Sequence, residues 1–194
     1  MTLKTMGRGA IASVVSVALG LGLTACGRDY TVGYLYTTTA QDAAGLVNGY
    51  KVDYQLGYLV QLANSPIPSG GRNPQTVIAS PDHLSLYVVH RDDSNVVHFL
   101  IGTDGKIYPQ KTYTITGSFA TDASIDAAGK FLYVTYTYQN TLLPNGTQQQ
   151  LYTPANPGPG GVTIFPIASD GSLGPGFAGV YSCCCVPLGK SVFW

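Results

Sequence analysis

Apolar and polar positions alternate in short runs along most of the chain, and turn residues separate the runs. The clearest runs cover residues 76–79, 85–90 and 95–101. A Ser-Pro-Asp-His turn, a charged turn and a Thr-Asp-Gly turn follow them in that order. Because the runs are rich in β-branched and aromatic residues and the connections are short and polar, the pattern predicts antiparallel strands joined as a meander.

This block recurs along the chain. Leu-Tyr pairs that end at Tyr36, Tyr87 and Tyr133 open equivalent strands at intervals of about 50 residues. Asp-Gly turns at Gly105 and Gly171 occupy equivalent hairpin positions, where glycine supplies the positive φ of a tight turn. Repeats of this length with four strands each are typical of propeller blades.

We therefore predict an all-β fold: an incomplete β-propeller of about three four-stranded antiparallel blades, preceded by an N-terminal signal helix. The blades are expected at residues 30–70, 74–118 and 121–178, and 179–194 matches the start of a fourth. The first block lacks an inner strand. In the third block the connection 139–160 is rich in Asn, Pro, Gly and Gln, and we expect a mobile surface excursion there.

Composition agrees with strands and turns and argues against nucleic-acid binding. The 194 residues include 14 Tyr, 24 Gly and 12 Pro, and only 10% of them are charged, against roughly a quarter in typical soluble domains. Ten basic residues balance ten acidic ones, and they form no basic stripe. A nucleic-acid surface requires such a stripe, so we expect no nucleic-acid partner.

The N-terminus has the features of an export signal. Lys4 and Arg8 precede an uncharged stretch, residues 9–27, whose middle part is apolar. A positive start, a short apolar stretch and small residues before a cleavage site describe a secretory signal. The alternative is an uncleaved membrane helix, but the stretch is weakly apolar for the roughly 20 residues that span a bilayer.

The tetrapeptide Leu-Thr-Ala-Cys that ends at Cys26 resembles the lipobox of bacterial lipoproteins. The resemblance implies cleavage after Ala25 and a diacylglyceryl thioether on Cys26. The chain is then divided into a signal peptide (1–25), a tether (26–29) and a partial propeller (30–194). We expect the lipid on Cys26 to anchor the protein to a membrane of the bacterial cell envelope, on the extracytoplasmic side, in the periplasm or at the outer membrane.

The blocks together resemble the YVTN-type, seven-bladed lactonase-like β-propeller family. The resemblance rests on the Ser-Pro-Asp turn at 80–82, the Leu-Tyr-Val strands at Leu86 and Leu132, and the Asp-Gly turns at Gly105 and Gly171. It implies a propeller fold, and some members of the family hydrolyse 6-phosphogluconolactone or similar sugar lactones. No catalytic residue of the family falls on a matching position here, so the catalytic residues stay unknown.

The chain departs from that family in the number of blades. Closed propellers have typically four to eight blades, whereas this sequence supplies about three and stops in the middle of a predicted strand. An open arc exposes apolar faces and strand edges at both ends. We expect either a fragment of a longer gene product or an arc that associates with another copy through its open blade edges.

Two histidines, His90 and His98, are the first candidates for chemistry. If the charged turn pairs His90 with Asn95, then Tyr87 lies opposite His98, and the two histidines point to opposite faces of the sheet. They could not then bind one metal ion, and we expect ordinary surface or edge histidines. No other pattern indicates a metal or cofactor site, and we expect neither.

The acidic residues are expected to stabilise turns. Asp92 and Asp93 follow Arg91 in a four-residue polar connection, which is typical of a solvated turn. Four further aspartates recur at equivalent turn positions, and a catalytic group would not be needed in every blade; they are Asp82, Asp104, Asp126 and Asp170.

Two clusters near the C-terminal half remain. Adjacent cysteines at 183–185 alternate faces on a strand, so they do not converge on a metal, and we expect small buried residues with a risk of intermolecular disulfides. Tyr133, Tyr136 and Tyr138, with His90, are the candidate ligand surface, because tyrosine rings stack on sugars and peptides.

The sequence supports two hypotheses about function. The first hypothesis is a membrane-anchored extracytoplasmic lipoprotein with a binding or scaffold role for a protein or sugar ligand. The alternative is a sugar-lactone hydrolase of the 6-phosphogluconolactonase type. A central catalytic pocket needs a closed ring, so the incomplete arc favours the first.

Overall fold

The structure is a computed structural model that describes residues 31–41, 44–145, 147–156 and 158–179. Three predictions lie outside these residues: the signal helix with Cys26, the continuation of a fourth blade and the three cysteines at 183–185. Within the described residues all regular structure is β-strand, and no helix there is long and apolar enough to cross a membrane.

The strands form three antiparallel sheets, which confirms an all-β fold that resembles part of a propeller. The first sheet contains β1 (Thr31–Gln41), β2 (Ala44–Asp53), β3 (Leu59–Gln61) and β4 (Ile67–Pro68). The second contains β5 (Pro74–Ala79), β6 (Ser85–His90), β7 (Asn95–Ile101) and β8 (Ile107–Thr114). The third contains β9 (Gly117–Ile125), β10 (Phe131–Leu142), β11 (Gln148–Gln150), β12 (Gly161–Pro166) and β13 (Phe177–Gly179).

The second and third sheets follow the same plan. Their hydrogen-bonded orders are β5-β6-β7-β8 and β9-β10-β12-β13, so each is a four-stranded meander. In the first sheet β3 and β4 both pair with β2, and β1 is the remaining strand. That sheet is three strands wide. Within the described residues it contains no counterpart of β5 or β9, the inner strand that the sequence also left out of the first block.

Two stretches of the third sheet differ from prediction. β9 begins at Gly117, although an inner strand was expected only from residue 123. Gly117 packs under a tyrosine ring, because a Cβ there would lie 2.1 Å from Tyr136; the glycine is used for close approach inside a strand. The predicted excursion at 139–160 also contains regular structure, since β10 runs on to Leu142 and pairs with β11.

The second sheet is the centre of the stack because it is covered on both sides. All six residues of β6 are buried. One face contributes Tyr87 and Val89 to a core shared with the third sheet, and the other contributes Leu86 and Val88 to a core with the first sheet. A continuous apolar run of this length is the pattern of a strand buried on two faces.

A repeated hydrogen bond joins each sheet to the next. The hydroxyl of Tyr36 in the first sheet donates to the carbonyl of Gly105 in the second, at 2.6 Å. The hydroxyl of Tyr87 in the second sheet donates to the carbonyl of Gly171 in the third, at 2.7 Å. Burial raises the pKa of both phenols to about 12. We call each of these bonds a Tyr–Gly link.

Replacing Tyr87 with phenylalanine tests the contribution of one link. The Tyr87→Phe variant keeps the ring but leaves the buried carbonyl of Gly171 without its donor, so the free energy of unfolding should fall by about 1–3 kcal/mol. Urea denaturation measures the change. Tyr108→Phe is the matched control, because Tyr108 is exposed on β8. Its substitution should change the free energy of unfolding by no more than about 0.5 kcal/mol. Equal effects of both variants would contradict a stabilising link.

Candidate functional site

Among the cavities in the described part of the chain, two that lie between neighbouring sheets have volumes of about 440 Å³ or more. The first, of about 440 Å³, is the apolar cleft between the first and second sheets; Tyr36, Val47, Leu62, Ile67, Ile107 and Pro109 are among its lining residues. The second, of about 570 Å³, is the polar groove between the second and third sheets; Ser80, Asp82, Ser85, Lys130, Ser169 and Gly171 are among its lining residues. Both volumes fall in the range of small-molecule sites.

Hydrogen bonds within a turn fix the polar side chains at the groove's edge. The hydroxyl of Ser80 donates to the carboxylate of Asp82, which also accepts the backbone N–H of Leu84 at 3.0 Å. The same hydroxyl accepts the backbone N–H of Ser85 at 3.0 Å. The bond from Ser80 is the main reason that the pKa of Asp82 lies below its ordinary value. Asp82 is therefore held as a carboxylate by its own turn.

Ser85, which lines the polar groove, is paired with a buried histidine. Nε2 of His98 lies 3.0 Å from Oγ of Ser85, and the imidazole stacks on Tyr87 at 5.2 Å between ring centroids. Such a pair resembles a nucleophile and its base. However, the Gly171 turn covers it, since a Cβ on Gly171 would lie 1.9 Å from the Ser85 hydroxyl. The serine–histidine pair supports the Gly171 turn of the third sheet, and no substrate atom fits between that turn and the Ser85 hydroxyl.

The sequence contained a signal for this pair that the prediction did not use. Tyr87 was predicted opposite His98, and this register is confirmed. Ser85 precedes Tyr87 by two residues, so the two share a face of β6. The register therefore already placed Ser85 and His98 on one side of the sheet, while only the fold shows how close they are.

His90 lies on the other face of the second sheet, as predicted. It pairs with Asn95 across the ladder, and its Nε2 is 2.8 Å from the hydroxyl of Ser69 in the connection from the first sheet. Among the buried side chains that the structure describes, Nδ1 of His90 and Oδ1 of Asn95 have no partner in hydrogen-bond geometry. Opposite faces exclude a metal site shared with His98.

The expectation of surface or edge histidines was wrong. His90 is 0% exposed and His98 is 3% exposed, because a neighbouring sheet covers each face of the second sheet. Burial lowers the pKa of both imidazoles below their ordinary value of 6.5. Both side chains are therefore neutral structural groups at neutral pH.

The structure does not bring the four residues of the candidate ligand surface together. Tyr136 is buried in the core between the second and third sheets, and His90 is buried against the first. Tyr138 packs edge-to-face on Phe119, with ring centroids 5.4 Å apart. Tyr133 belongs to the opposite face of β10, because Leu132, Val134 and Tyr136 alternate with it along the strand and enter the core.

The aspartates stabilise turns, as predicted. Asp126 accepts the backbone N–H groups of Lys130 and Phe131 at 2.6 and 2.7 Å, and Asp104 and Asp170 each accept the N–H two residues on. These backbone N–H groups contribute to the lowered pKa of all three carboxyl groups. Each carboxylate thus shapes its own hairpin.

Asp92 and Asp93 have a further role that the sequence did not indicate. The carboxylate of Asp93 accepts the backbone N–H and the guanidinium of Arg72, each at 2.7 Å, and this pairing lowers its pKa. The amide of Asn73 donates to Asp92 at 3.4 Å. The two acids fasten the connection between the first and second sheets. In the described part of the chain no three His, Cys, Asp or Glu side chains cluster as metal ligands.

The apolar cleft was not predicted. Tyr36 and Val47 come from the first sheet and Ile107 and Pro109 from the outer strand of the second. The hydroxyl of Tyr36 is already engaged in a Tyr–Gly link, so its ring is the part that faces the cleft. No sequence pattern marks a cavity whose walls come from different sheets.

Comparison with known proteins gives only distant likenesses. No protein-family model matches the sequence, and no curated protein matches it. Among solved structures, a candidate 6-phosphogluconolactonase from Bacteroides fragilis is 14% identical, with a TM-score of 0.41, over 77% of this chain and 55% of its own. The periplasmic gluconolactonase of Pseudomonas aeruginosa is 16% identical, with a TM-score of 0.44, over 74% and 50%.

A hypothetical selenium-binding protein from Sulfolobus tokodaii is 14% identical, with a TM-score of 0.49, over 74% of this chain and 36% of its own. The chain thus spans 36–55% of the length of these three proteins. The likeness is a distant structural similarity to lactonase-like β-propeller proteins, and it carries nothing about substrate.

The two buried histidines predict a pH dependence of stability. Because their pKa is lowered in the folded state, the unfolded chain binds more protons as the pH falls through 6.5. The free energy of unfolding should therefore decrease from about pH 7.5 to about pH 5, before the aspartates add their own loss at lower pH. Urea denaturation across this range measures the slope.

His98→Gln should reduce that slope, because glutamine can keep a polar atom near Ser85 without titrating. His83→Asn is the control: His83 is exposed in a turn at φ 61°, a conformation that asparagine tolerates. A slope that is unchanged in His98→Gln, or that disappears in His83→Asn, would contradict the assignment.

Proposed function

We propose that the protein is a lipid-anchored, extracytoplasmic lipoprotein of the bacterial cell envelope whose stacked sheets bind a ligand or partner. The observation that carries this proposal is that the polar side chains between the sheets stabilise the structure. The buried histidines and the turn aspartates are engaged in structural hydrogen bonds, as described above. The rigid elements that result are a suitable frame for recognition.

The apolar cleft is the proposed recognition site. Its floor includes Val47 and Leu62, which belong to the packed part of the first sheet, and its rim includes Tyr108 and Pro109. A concave site with mainly apolar walls suits an apolar side chain or ring of a partner. Hydrogen bonds that fix the turns on either side keep the site formed in the free protein, which lowers the cost of binding.

The anchor rests on the sequence alone. Cys26 lies outside the described residues, and support for its lipidation comes from the Leu-Thr-Ala-Cys tetrapeptide and the uncharged stretch before it. One acyl chain gives only marginal membrane binding, and the several chains of a lipoprotein give stable attachment. The proposed cleft would then act close to a membrane surface.

A sugar-lactone hydrolase is the second candidate, and the polar groove is the observation that favours it. Asp82 and Lys130 supply opposite charges at its walls, and Ser80 and Ser169 supply hydroxyl groups. Such a set could hold a hydroxylated ring. Ser85, the groove serine that is paired with a histidine, is covered by Gly171 and is not accessible as a nucleophile. Any hydrolysis there would use an activated water molecule.

The anchor predicts metabolic labelling at one cysteine. In bacteria that produce the full chain, radiolabelled palmitate should be incorporated, and the Cys26→Ala variant should lose the label because the acceptor thiol is gone. Cys184→Ala is the matched control and should keep it. Labelling that persists without Cys26 would contradict lipidation at this residue.

The choice between binding and hydrolysis predicts the outcome of a lactonase assay. The detergent-extracted full chain should hydrolyse δ-gluconolactone and its 6-phosphate no faster than buffer, because the groove's acid is tied to its turn. Release of acid measured by pH-stat is the readout. Turnover above background that is lost in Lys130→Ala, but not in the control Lys111→Ala, would favour the hydrolase.

A further inference from the structure

The Tyr–Gly links require two matching halves, one on each of two consecutive sheets. The first half is the tyrosine of a Leu-Tyr pair in a strand, and the second is a glycine in the hairpin between the last two strands of the next sheet. In both cases the glycine has positive φ, +76° at Gly105 and +79° at Gly171. In both cases a Cβ would overlap the preceding sheet, which shows how closely the hairpin is seated.

The first sheet carries the glycine half without a tyrosine to match it. Its hairpin between β2 and β3 is closed by a similar pair of backbone bonds around a turn that is one residue longer: the N–H of Gly57 donates to the carbonyl of Asp53 at 2.9 Å, and the N–H of Asp53 to the carbonyl of Tyr58 at 3.0 Å. Gly57 also has positive φ, +68°. Unlike Gly105 and Gly171, it has open space where a Cβ would be.

The third sheet carries the tyrosine half without a glycine. Tyr133 holds the position of Tyr36 and Tyr87 in the repeat, and within the described residues its ring contacts Phe131 while its hydroxyl has no hydrogen-bond partner. Ile164 lies opposite it, followed across the sheet by Phe177. This face is open, since Phe131 is 37% exposed and Phe177 is 50% exposed, and it carries one carboxylate beside the ring, Asp122 opposite Thr135.

The hairpin of the first sheet is also unusually apolar for an exposed turn. Five large side chains between residues 54 and 60 are 51–65% exposed: Tyr54, Leu56, Tyr58, Leu59 and Val60. The equivalent hairpins of the other sheets are polar, Thr-Asp-Gly-Lys and Ser-Asp-Gly-Ser. A contiguous apolar patch of this kind marks an interaction surface.

We propose that these two ends bind each other in two copies of the chain, with Tyr133 of one copy forming a Tyr–Gly link to the Gly57 hairpin of the other. Within the described residues, the first sheet carries one unfilled half and the third sheet carries the other, so the contact is head-to-tail and joins different surfaces. The apolar hairpin would cover Phe131 and Phe177. Two copies supply six sheets, within the range of four to eight that closed propellers use.

The chemistry of the first sheet's hairpin favours a second copy over an unrelated partner. The hairpin at 53–58 has the glycine, the positive φ and the two closing hydrogen bonds that both existing links use. It is one residue longer than the others, and the extra length carries the apolar side chains. The proposal does not depend on the apolar cleft or the lipid anchor, and it can fail or hold independently of them.

Paired blocking variants test the direction of the contact. Leu59→Lys blocks the first sheet and Phe177→Lys blocks the third, and both positions are exposed enough to accept lysine without disturbing the core. The full chain is extracted in detergent under reducing conditions and its mass is followed by sedimentation across the micromolar range. The parent chain should associate, and each variant alone should sediment as a single copy.

Mixing the two variants should restore one contact, because the intact third sheet of Leu59→Lys meets the intact first sheet of Phe177→Lys. An affinity tag on one variant should then retain the untagged other. Tyr133→Phe should weaken association by about 2- to 12-fold, the loss of one hydrogen bond, and the control Tyr138→Phe should not change it.

Three results would overturn the proposal. The parent chain could sediment as a single copy throughout, either variant could associate as strongly as the parent, or the mixed variants could fail to pair. The second result would also show that one face binds its own counterpart, which a head-to-tail contact does not allow.

Discussion

Both faces of the second sheet are apolar, and a sheet of that kind is stable in water only when another sheet covers each face. β6 is buried along its whole length, and its two rows of side chains enter two separate cores. This requirement for two covers determines the stack. The first and third sheets occupy their positions because the second exposes apolar surface to both sides.

The same burial decides what the polar residues between the sheets can do. His90 and His98 are kept neutral by loss of solvent, and each is paired with a serine hydroxyl. The hydroxyls of Tyr36 and Tyr87 donate hydrogen bonds to glycine carbonyls of the next sheet. Side chains that would suggest catalysis in an open pocket therefore act here as specific joints between layers, which align the sheets more closely than apolar packing alone would.

Stacking also explains where the molecule can bind. The cavities lie between neighbouring sheets: the apolar cleft is on one side of the second sheet, and the polar groove is on the other. The outermost faces are the other accessible surfaces. Each outermost face carries one half of a Tyr–Gly link, and complete links of the same kind join the sheets inside the molecule. The same contact can thus serve both folding and association.

The sequence by itself determined most of the strands, the register of β6 against β7 and the repeat of the sheets, since these depend on alternation, turn residues and local hydrogen bonds. Leu-Tyr and Asp-Gly were recognisable as repeated signals, and Asp82, Asp104 and Asp126 as turn residues. Only the tertiary structure showed that Tyr87 bonds to Gly171 and that His90 is buried. Burial and contact depend on which sheet covers which face, and those neighbours are separated in the chain by as many as 84 residues.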